Sequence, residues 1–498
     1  MMRALQICLI TAIVLLQQSG FAAERPNIIL MMGDDHGWEE TGYNGHPWVR
    51  TPVLDAMAAE GLKFDRFYAG HPNCSPTRAS FLTGRHPNRM GTFAPGWSMR
   101  PEEITIAAVL ANAGYRCGHF GKWHVGTVKQ DSSLNPGAMG FDEWLSHDNF
   151  FELNPSLSRN GAPPQTFNGE SSQILIHETI RFVDRCRESK QPFLAVVWFG
   201  SPHEPYSGLP EDLALYDRLL TEYPQEVALT SNETGLPVRR PKGHVLRERY
   251  AEITAMDRAI GELRNHLKQT GLRENTLVFY CGDNGTSGES ALGEPHRGVK
   301  STIYEGGILV PGLIEWPAAI PQPHSSSVRA VTSDLLPTIC SITEQPLPDR
   351  PVDGINLSPV WETGMSVRPA PLFFWMLDTD ELQGSPKTPW IDPQEQIGTT
   401  PLVKLMNGKP NRTFQNFRYS EIPEPLTQGA RAVISGNHKL VIHTRNTGEE
   451  AELFDLSRDP AESRNLIDEQ PQTADELREH LLQWQQSVRH SLVGSDYP

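Results

Sequence analysis

Two short acidic motifs contain residues suited to bind a metal ion. Asp34 and Asp35 lie in GDDHG, and Asp283 and Asn284 lie in GDNG. Three carboxylates and an amide oxygen are hard ligands that favour Ca²⁺, with Mg²⁺ as the alternative, over Zn²⁺. Either motif alone is more typical of a turn, because Asp, Asn and Gly predominate in turns. Since both motifs directly follow apolar runs, we interpret them together as one metal site.

A thiol and several cationic or imidazole side chains form a second candidate group. Cys74 lies in CSPTR, where it could be a metal ligand, a nucleophile, half of a disulfide or the precursor of a modified side chain. The other members lie in segments typical of loops: Arg78, Lys122, His124, His203 and Lys300. Most Lys and Arg side chains are exposed to solvent, and the two histidines could have ordinary packing roles. These residues share a function only if the fold brings them together.

Three short apolar runs predict the strands that position these residues. NIILMM (27–32), FLAVVWF (193–199) and TLVFYC (276–281) contain neither Pro nor Gly, as expected of parallel strands buried on both faces. Ligands of an open α/β sheet bind just beyond the carboxyl ends of its strands. We therefore expect the residues that follow the three runs to meet in one site: Asp34, Asp35, His203, Asp283 and Asn284.

Helical periodicity between the runs indicates the fold class. Apolar residues recur at helical spacing in 245–270, and Gly271 predicts the end of that helix. Strands that alternate with helices predict an α/β domain with a mainly parallel central sheet flanked by helices. We assign this large catalytic domain to residues 24–360.

The C-terminal part of the chain changes in character. Residues 361–428 are rich in Pro, Gly and polar residues, and we interpret them as an irregular connection or insertion. Residues 431–444 predict a hairpin that turns at Gly436-Asn437, and 450–460 predict a further strand and a turn.

A final helix completes the predicted second domain. Thr473 and Glu476 have the spacing of a capping box. One face of the helix that follows is apolar, with Leu477, Leu481, Trp484 and Val488. We therefore expect residues 429–498 to form a small α+β subdomain with an antiparallel sheet and one helix.

The first 23 residues predict a signal peptide. Arg3 precedes the apolar run ICLITAIVLL (7–16), and small residues lead to a cleavage site after Ala22 or Ala23. The run is too short to span a bilayer, which takes about 20 residues, and no Cys lies at the cleavage site. We expect an exported protein, periplasmic or secreted, without a stable membrane anchor.

Length and composition limit the remaining possibilities. The 498 residues exceed one ordinary domain and suit a large domain with a smaller one. The net charge of −16 and the lack of a basic stripe argue against a nucleic-acid partner. Without Cys8 of the signal peptide, five scattered cysteines remain of the six, which is no disulfide framework.

The motif around Cys74 resembles the signature of the sulfatase family, because CSPTR is followed by LTGR (82–85). The resemblance continues, in order and spacing, through RPNIILMMGDDHG, GYRCGHFGKWHVG, SPHEPY, CGDNGTSGE, RGVKSTIYEGGILVPGLIEWP and ELFDLSRDPAESRNL. It covers nearly the whole mature chain, with 361–428 the weakest part. The resemblance implies an alkaline-phosphatase-like fold and a type I, formylglycine-dependent sulfatase.

The resemblance also implies a modified nucleophile. A maturation enzyme would recognise Cys74 with Pro76 and Arg78 and oxidise the thiol to formylglycine, whose hydrated form is a gem-diol. One hydroxyl would attack sulfur to give a covalent sulfo-enzyme, and the second would allow elimination of sulfate, which a serine does not permit. The implied metal ligands are Asp34, Asp35, Asp283, Asn284 and the modified residue 74, and the metal would favour the alkoxide.

The family pattern assigns roles to the remaining residues. Arg78 and Lys122 would orient the diol and offset its charge. His124 would be the base of the elimination. His203 and Lys300 would hold the sulfate, and one of them would protonate the leaving oxygen.

Family members act on aryl esters, sugars and other alcohols, and the exported address favours a sulfated carbohydrate. Four residues in loops expected near the site are candidates for substrate binding: Trp97, Arg100, His147 and Asp148. Packing is an equally common role for a tryptophan. The alternatives are an aryl sulfatase, a phosphate or phosphonate monoester hydrolase of the same superfamily, and a non-catalytic glycan-binding protein. A zinc phosphatase would need further His and Asp ligands.

Overall fold

The computed structural model describes residues 25–231, 234–293, 295–406, 409–423, 428–445 and 448–497. The predicted signal peptide, residues 1–23, lies outside this part. Among the helices in these ranges, none is both long and apolar enough to cross a membrane.

A ten-stranded sheet forms the centre of the larger part. Its strands, in spatial order, are His324–Ser326, Leu62–Phe64, Gly312–Glu315, Thr276–Gly282, Asn27–Gly33, Phe193–Trp198, Arg116–Lys122, Glu143–His147, Ser156–Arg159 and Gln165–Thr166. The five strands from Thr276–Gly282 to Glu143–His147 run parallel. The three strands predicted from apolar runs are therefore confirmed, and they lie side by side.

Helices cover both faces of this central sheet. Ile29 and Met31 face a core shared with the helices Pro52–Glu60, Ser171–Ser189 and Lys242–Gln269. Leu30 and Met32 face the opposite core, shared with Cys74–Thr83, Ile106–Asn112 and Leu335–Ile342. Burial on both faces explains why the strands are continuously apolar. The α/β fold with a mainly parallel sheet is confirmed, as is the helix predicted in 245–270.

Short elements connect the main ones. The helices are Pro210–Ala214, Leu219–Glu222, Glu305–Ile308 and Pro359–Glu362, with 3-10 turns at Gly42–Asn44, Pro87–Met90, Thr332–Asp334 and Thr379–Leu382. The strands Leu309–Val310, Phe67–Tyr68 and Ala330–Val331 form a small sheet, and Glu226–Thr230 pairs with Pro237–Pro241.

A four-stranded antiparallel sheet forms the C-terminal part. Its strands, in spatial order, are Leu372–Leu377, Gly429–Ser435, His438–Arg445 and Gly448–Asp455. The helix Pro471–Leu492 packs on it through Leu477, Leu481, Trp484 and Val488. The predicted hairpin is confirmed. The predicted capping box is wrong, because the helix begins at Pro471, whose fixed φ suits a first turn, and Gln470 is its N-cap.

The described part of residues 361–428, predicted as irregular, contains five strands. They are Leu372–Leu377, Lys387–Pro389, Ile397–Met406, Lys409–Thr413 and Phe417–Tyr419. Ile397–Met406 and Lys409–Thr413 pair with each other, and we call them the 397–413 hairpin. The sequence pattern did not reveal it because Pro401 and Pro410 interrupt the strands and two register shifts break the alternation.

A buried ionic cluster joins the two parts of the molecule. Lys439 Nζ lies 2.9 Å from Glu305 Oε1 and 2.8 Å from Glu462 Oε1. The Tyr68 hydroxyl donates to Glu305 Oε2 (2.9 Å), and the Glu305 backbone N–H donates to Glu462 Oε2 (2.6 Å). We call these four residues the junction cluster.

Candidate active site

Adjacent parallel strands bring the two acidic motifs together. Gly33 and Gly282 are partners at the ends of their strands, so the residues that follow them face each other. The Asp35 backbone N–H donates to Asp283 Oδ1 (2.8 Å), and the Asp283 N–H donates to the Gly33 carbonyl (3.1 Å). The Asn284 amide nitrogen donates to Asp35 Oδ1 (2.8 Å). The predicted convergence of these motifs is observed.

Cys74 lies at the first position of the helix Cys74–Thr83, with Asn73 as its N-cap. Only 2% of the cysteine is exposed, and burial raises the pKa of its thiol. Its Sγ, a carboxylate oxygen of Asp34 and one of Asp283 all lie within 4.8 Å of one another. The thiol of Cys74 therefore faces the acidic motifs.

Each carboxylate has a cation of its own. Lys122 Nζ donates to Asp34 Oδ2 (2.6 Å), and Lys300 Nζ donates to Asp35 Oδ2 (2.6 Å). Arg78 donates to Asp283 Oδ2 from Nη2 (2.7 Å) and Nε (3.2 Å). Lys122 is the last residue of a central strand, and Lys300 is fixed by the bond from its backbone N–H to the Thr286 carbonyl (2.9 Å). Three negative and three positive side chains thus share one buried site.

These contacts move the pKa values of the carboxylates in opposite directions. Burial raises the pKa of Asp34 to about 7, in spite of the lowering effect of Lys122 and Arg78. Burial also acts to raise the pKa of Asp35, but the contact with Lys300, above all, holds that pKa well below its usual range. The pKa of Asp34 differs because the neighbouring carboxylates of Asp283 and Asp35 add to the effect of burial and raise it.

The donor set fits a hard divalent cation. Asp34 Oδ1 and Asn284 Oδ1 are buried and have no hydrogen-bond partner among the described residues. An unsatisfied buried oxygen costs about 1–3 kcal/mol, and coordination to a cation would remove that cost. Carboxylate and amide oxygens are the ligands that Ca²⁺ and Mg²⁺ prefer. Asp34, Asp35, Asp283 and Asn284 would hold such an ion beside residue 74.

Two histidines border the same space. Both ring nitrogens of His124 are buried without a hydrogen-bond partner in the described ranges. Burial, followed by Lys122 and Arg412, lowers the pKa of His124. His203 Nδ1 donates to the Glu204 carbonyl (2.5 Å), and its Nε2 lies 3.6 Å from Asp35 Oδ2. Burial, followed by Lys300, lowers the pKa of His203 too. Both imidazoles are therefore neutral in the free protein.

The structure places Trp97 and Arg100 in packing contacts with the C-terminal part, and their predicted role in substrate binding stays a prediction. Trp97 packs edge-to-face on Phe93 and Phe417, with ring centroids 5.0 and 5.7 Å away. Arg100 is fully buried and donates to the Leu492 carbonyl (2.7 Å) while stacking on Trp390 (3.9 Å). Both side chains join the loop after the Cys74 helix to the C-terminal part.

His147 and Asp148 make structural contacts with the 397–413 hairpin, and their predicted role in substrate binding also stays a prediction. The Thr399 and Thr400 backbone N–H groups donate to Asp148 Oδ2 (2.7 and 2.6 Å). His147 Nε2 donates to the Pro401 carbonyl (3.1 Å), and its Nδ1 accepts from the Asn149 N–H (2.9 Å). The two residues therefore anchor the 397–413 hairpin beside the site.

Sequence reasoning missed two arginines near the site. Arg249 donates to Glu40 Oε2 (2.6 Å), to the Asp35 carbonyl (2.5 Å) and to the Pro202 carbonyl (2.6 Å). It therefore links the loop that contains Asp35 to the loop that contains His203. The sequence could have indicated Arg249, because it lies four residues before Ile253 and therefore on the apolar face of the predicted helix. Arg412, on the 397–413 hairpin, had no signal because that segment showed no pattern.

Comparisons with known proteins agree with this arrangement. The family model described as Sulfatase matches residues 26–344. Arylsulfatase A of Homo sapiens is 32% identical over 472 residues, which cover 90% of this chain and 85% of that protein. N-acetylgalactosamine-6-sulfatase of Canis lupus familiaris is 30% identical over 397 residues, 72% of this chain and 70% of that one. The crystal structure of Ps i-CgsB in complex with k-i-k-neocarrahexaose has a TM-score of 0.72 at 21% identity and covers 94% of each chain.

Proposed function

Since this chain belongs to the sulfatase family and is a sulfate ester hydrolase, we propose that its substrates are sulfated saccharides and that Cys74 acts after oxidation to formylglycine. The observation that carries the second part is the position of Cys74. Its sulfur lies within 4.8 Å of two carboxylate oxygens, at the buried start of a helix and among three cations. A thiol in that position has a raised pKa and is a poor nucleophile as it stands.

The similar proteins support a saccharide substrate. One relative is named for the 6-sulfate of N-acetylgalactosamine, and one solved structure of the same fold holds a neocarrahexaose. The predicted signal peptide fits export to a place where sulfated polysaccharides occur. A formylglycine at residue 74 would require a maturation enzyme as a partner.

The site residues divide the work of hydrolysis. A bound Ca²⁺ or Mg²⁺ would supply a positive charge that favours the deprotonated nucleophile and polarises sulfate oxygens. Lys122 and Arg78 lie on the Asp34 and Asp283 side, where they fix the carboxylates and offset the charge of residue 74. Lys300 lies on the Asp35 side, where it binds the sulfate oxygens. These charges are buried and already positioned, so little reorganisation is needed during the reaction.

The two histidines transfer protons in different steps: His203 at the leaving oxygen of the substrate, and His124 at residue 74. The proton on His203 Nδ1 is held in a hydrogen bond to the Glu204 carbonyl. Nε2 is therefore the atom that exchanges a proton. An anionic sulfate near His203 favours its protonated form, which then donates from Nε2 to the leaving oxygen. His124 is neutral and its nitrogens have no other described partner, so it is suited to accept the proton of the second hydroxyl at residue 74.

Mass analysis and a substrate panel test this proposal. We expect the tryptic peptide 67–78 of the active protein to carry an aldehyde in place of the thiol. We expect turnover of sulfated mono- or disaccharides in preference to aryl sulfates and to phosphate monoesters. The Cys74→Ala variant should remain folded and bind its substrate without turnover. Full activity with an unmodified thiol, or a preference for phosphate esters, would contradict the proposal.

A further inference from the structure

The 397–413 hairpin forms a wall beside the catalytic residues. Its end is fixed to the loop that follows the Cys74 helix, because the Gln415 N–H donates to the Gly96 carbonyl (3.0 Å) and the Ser98 N–H donates to the Gln415 carbonyl (3.0 Å). The Phe414 ring meets the His124 ring edge-to-face at 6.3 Å. This end of the hairpin is therefore part of the site.

The other strand of the hairpin is fixed as firmly. Asp148 accepts hydrogen bonds from Thr399 and Thr400, and the Thr400 hydroxyl adds a third (2.6 Å). Asp148 directly follows His147, which pairs with Lys122 in the central sheet. The elements that position Lys122 and Cys74 thus also hold the two strands of the hairpin in place.

This anchoring places the Arg412 guanidinium against the start of the catalytic segment. Gly96 has φ +95°, and a Cβ added to it would lie 2.6 Å from Arg412 Nη2, so the guanidinium rests directly on this glycine. The Gly96 N–H in turn donates to the Ser75 hydroxyl (3.5 Å), next to Cys74. Burial lowers the pKa of Arg412, and Cys74 is the group that opposes this effect. Gly96 therefore connects the Arg412 guanidinium to Ser75, the residue that follows Cys74.

A cavity of about 340 Å³ adjoins Arg412. Its lining includes Pro95, Gly96, Leu402, Lys409, Asn411 and Arg412. Lys409 is exposed and Asn411 is half-buried, so the cavity has cationic and amide donors and is accessible from solvent. The three carboxylates of the catalytic centre already pair with Arg78, Lys122 and Lys300. Arg412 adds a fourth positive charge to this side of the site.

We propose that Arg412, with Lys409 and Asn411, binds a second anionic group of the substrate, a carboxylate or a further sulfate on the saccharide whose scissile ester lies at residue 74. A guanidinium binds either group through paired N–H donors in one plane. The cavity has room for the part of the saccharide that carries this group. The hairpin then selects polyanionic saccharides over singly sulfated neutral ones. This inference rests on the proposed function.

The test compares two substrates in two variants. One substrate carries a single sulfate on a neutral sugar, and the other carries the same sulfate with a neighbouring carboxylate or second sulfate. In Arg412→Gln, we expect kcat/KM for the doubly charged substrate to fall roughly 10- to 100-fold, as for the loss of a hydrogen-bonded charge pair. The singly charged substrate should change less than about threefold, and Arg412→Lys should retain part of the preference.

Two controls make the result decisive. Arg458→Gln removes an arginine whose side chain is 87% exposed and should leave both substrates unaffected. Equal losses on both substrates would overturn the proposal in favour of contact with the scissile sulfate, and no loss on either would overturn it altogether. If the wild-type protein turns over aryl sulfates alone, the proposed function fails. In that case, kcat/KM of Arg412→Gln is measured with two aryl sulfates, one with and one without a carboxylate. The same outcomes support or overturn the proposal. Equal melting temperatures exclude misfolding.

Discussion

The catalytic centre and the junction cluster are both buried sets of charged residues, but they are built differently. In the junction cluster, one lysine lies between two glutamates, and the Tyr68 hydroxyl and a backbone N–H complete the contacts. In the catalytic centre, neither Asp34 Oδ1 nor Asn284 Oδ1 accepts a hydrogen bond from the described residues, and Arg78 Nη2 lies 3.4 Å from Asp34 Oδ1. The junction cluster places one lysine between both of its carboxylates, whereas the catalytic centre keeps a neutral amide oxygen, Asn284 Oδ1, without a hydrogen bond from the described residues, and we propose that this oxygen binds an ion.

This difference teaches how to separate structural from functional burial of charge. A buried pair closed on itself links two parts of the fold, and its loss costs stability. A buried group with unsatisfied oxygens is already less stable than it could be, and the cost is offset when a ligand binds. Substitutions in the two clusters should therefore affect different measurements.

The largest expected effect is on turnover. Asp283→Asn removes a proposed metal ligand and the partner of Arg78, so we expect kcat/KM to fall on the order of 10²- to 10³-fold. The free energy of unfolding measured in chelator should stay near the wild-type value, because the substitution also removes the repulsion between Asp283 and Asp34. Turnover and urea unfolding of the same preparation check both parts.

Asp334→Asn is the matched control for that substitution. Asp334 is equally buried and accepts from Arg368 Nη1 (2.6 Å) and Nη2 (2.9 Å), and its other described side-chain bonds are to the backbone N–H groups of Val331 and Ile355, not to catalytic residues. We expect it to lower the melting temperature while kcat stays within about twofold, as expected for a substitution away from the reacting groups. A large loss of kcat in the folded Asp334→Asn protein would break the distinction between the two kinds of cluster.

The next effect is on stability alone. Lys439→Met removes the cation between Glu305 and Glu462, which leaves two buried carboxyl groups side by side. We expect the free energy of unfolding to fall by about 3–5 kcal/mol, measured by urea titration. The kcat of the folded fraction should be unchanged. A variant of normal stability would show that the junction cluster does not hold the two parts together.

The smallest effect is on the pH dependence of stability. Burial raises the pKa of Glu462 to about 7, against the lowering effect of Lys439, from about 4.5 in the unfolded chain. The folded state therefore binds a proton that the unfolded state has lost between these pH values, and the stability that this proton contributes is lost as the pH rises toward 7. The slope is at most about 1.4 kcal/mol per pH unit. Unfolding of wild type and Glu462→Gln from pH 5 to 8 should show a steeper decline in the wild type.

Much of the central sheet could be predicted because its strands are buried on both faces. The runs that contain Ile29, Val196 and Phe279 are continuously apolar, and this pattern identified them. The strand Arg116–Lys122 was missed, since Gly118, Gly121 and His119 interrupt its apolar character. Those glycines are needed because a Cβ at 121 would lie 1.9 Å from the Trp198 carbonyl. Close packing thus removed the very signal that the prediction used.

The convergence of the acidic and cationic motifs could be predicted from the sequence, but the surroundings of the site could not. Asp34, Cys74 and Lys300 belong to motifs whose resemblance to a family is strong. Trp97 and Arg100 lie near those motifs in sequence, yet they face the C-terminal part. Arg412 lies far from them in sequence, yet it rests on Gly96. Position relative to a motif does not decide which way a side chain points, because that depends on long-range packing.

The antiparallel pairing of Leu372–Leu377 with Gly429–Ser435 places Leu377 opposite Gly429. The chain therefore leaves this sheet and re-enters it at neighbouring points. The segment between them, which contains the 397–413 hairpin, is an insertion whose two ends lie side by side. Such an insertion can be exchanged for another, longer or shorter, without altering the register of the strands that support it. A contiguous replacement that keeps the contacts with His124, Gly96 and Asp148 would then change the proposed anion preference of the enzyme through one segment.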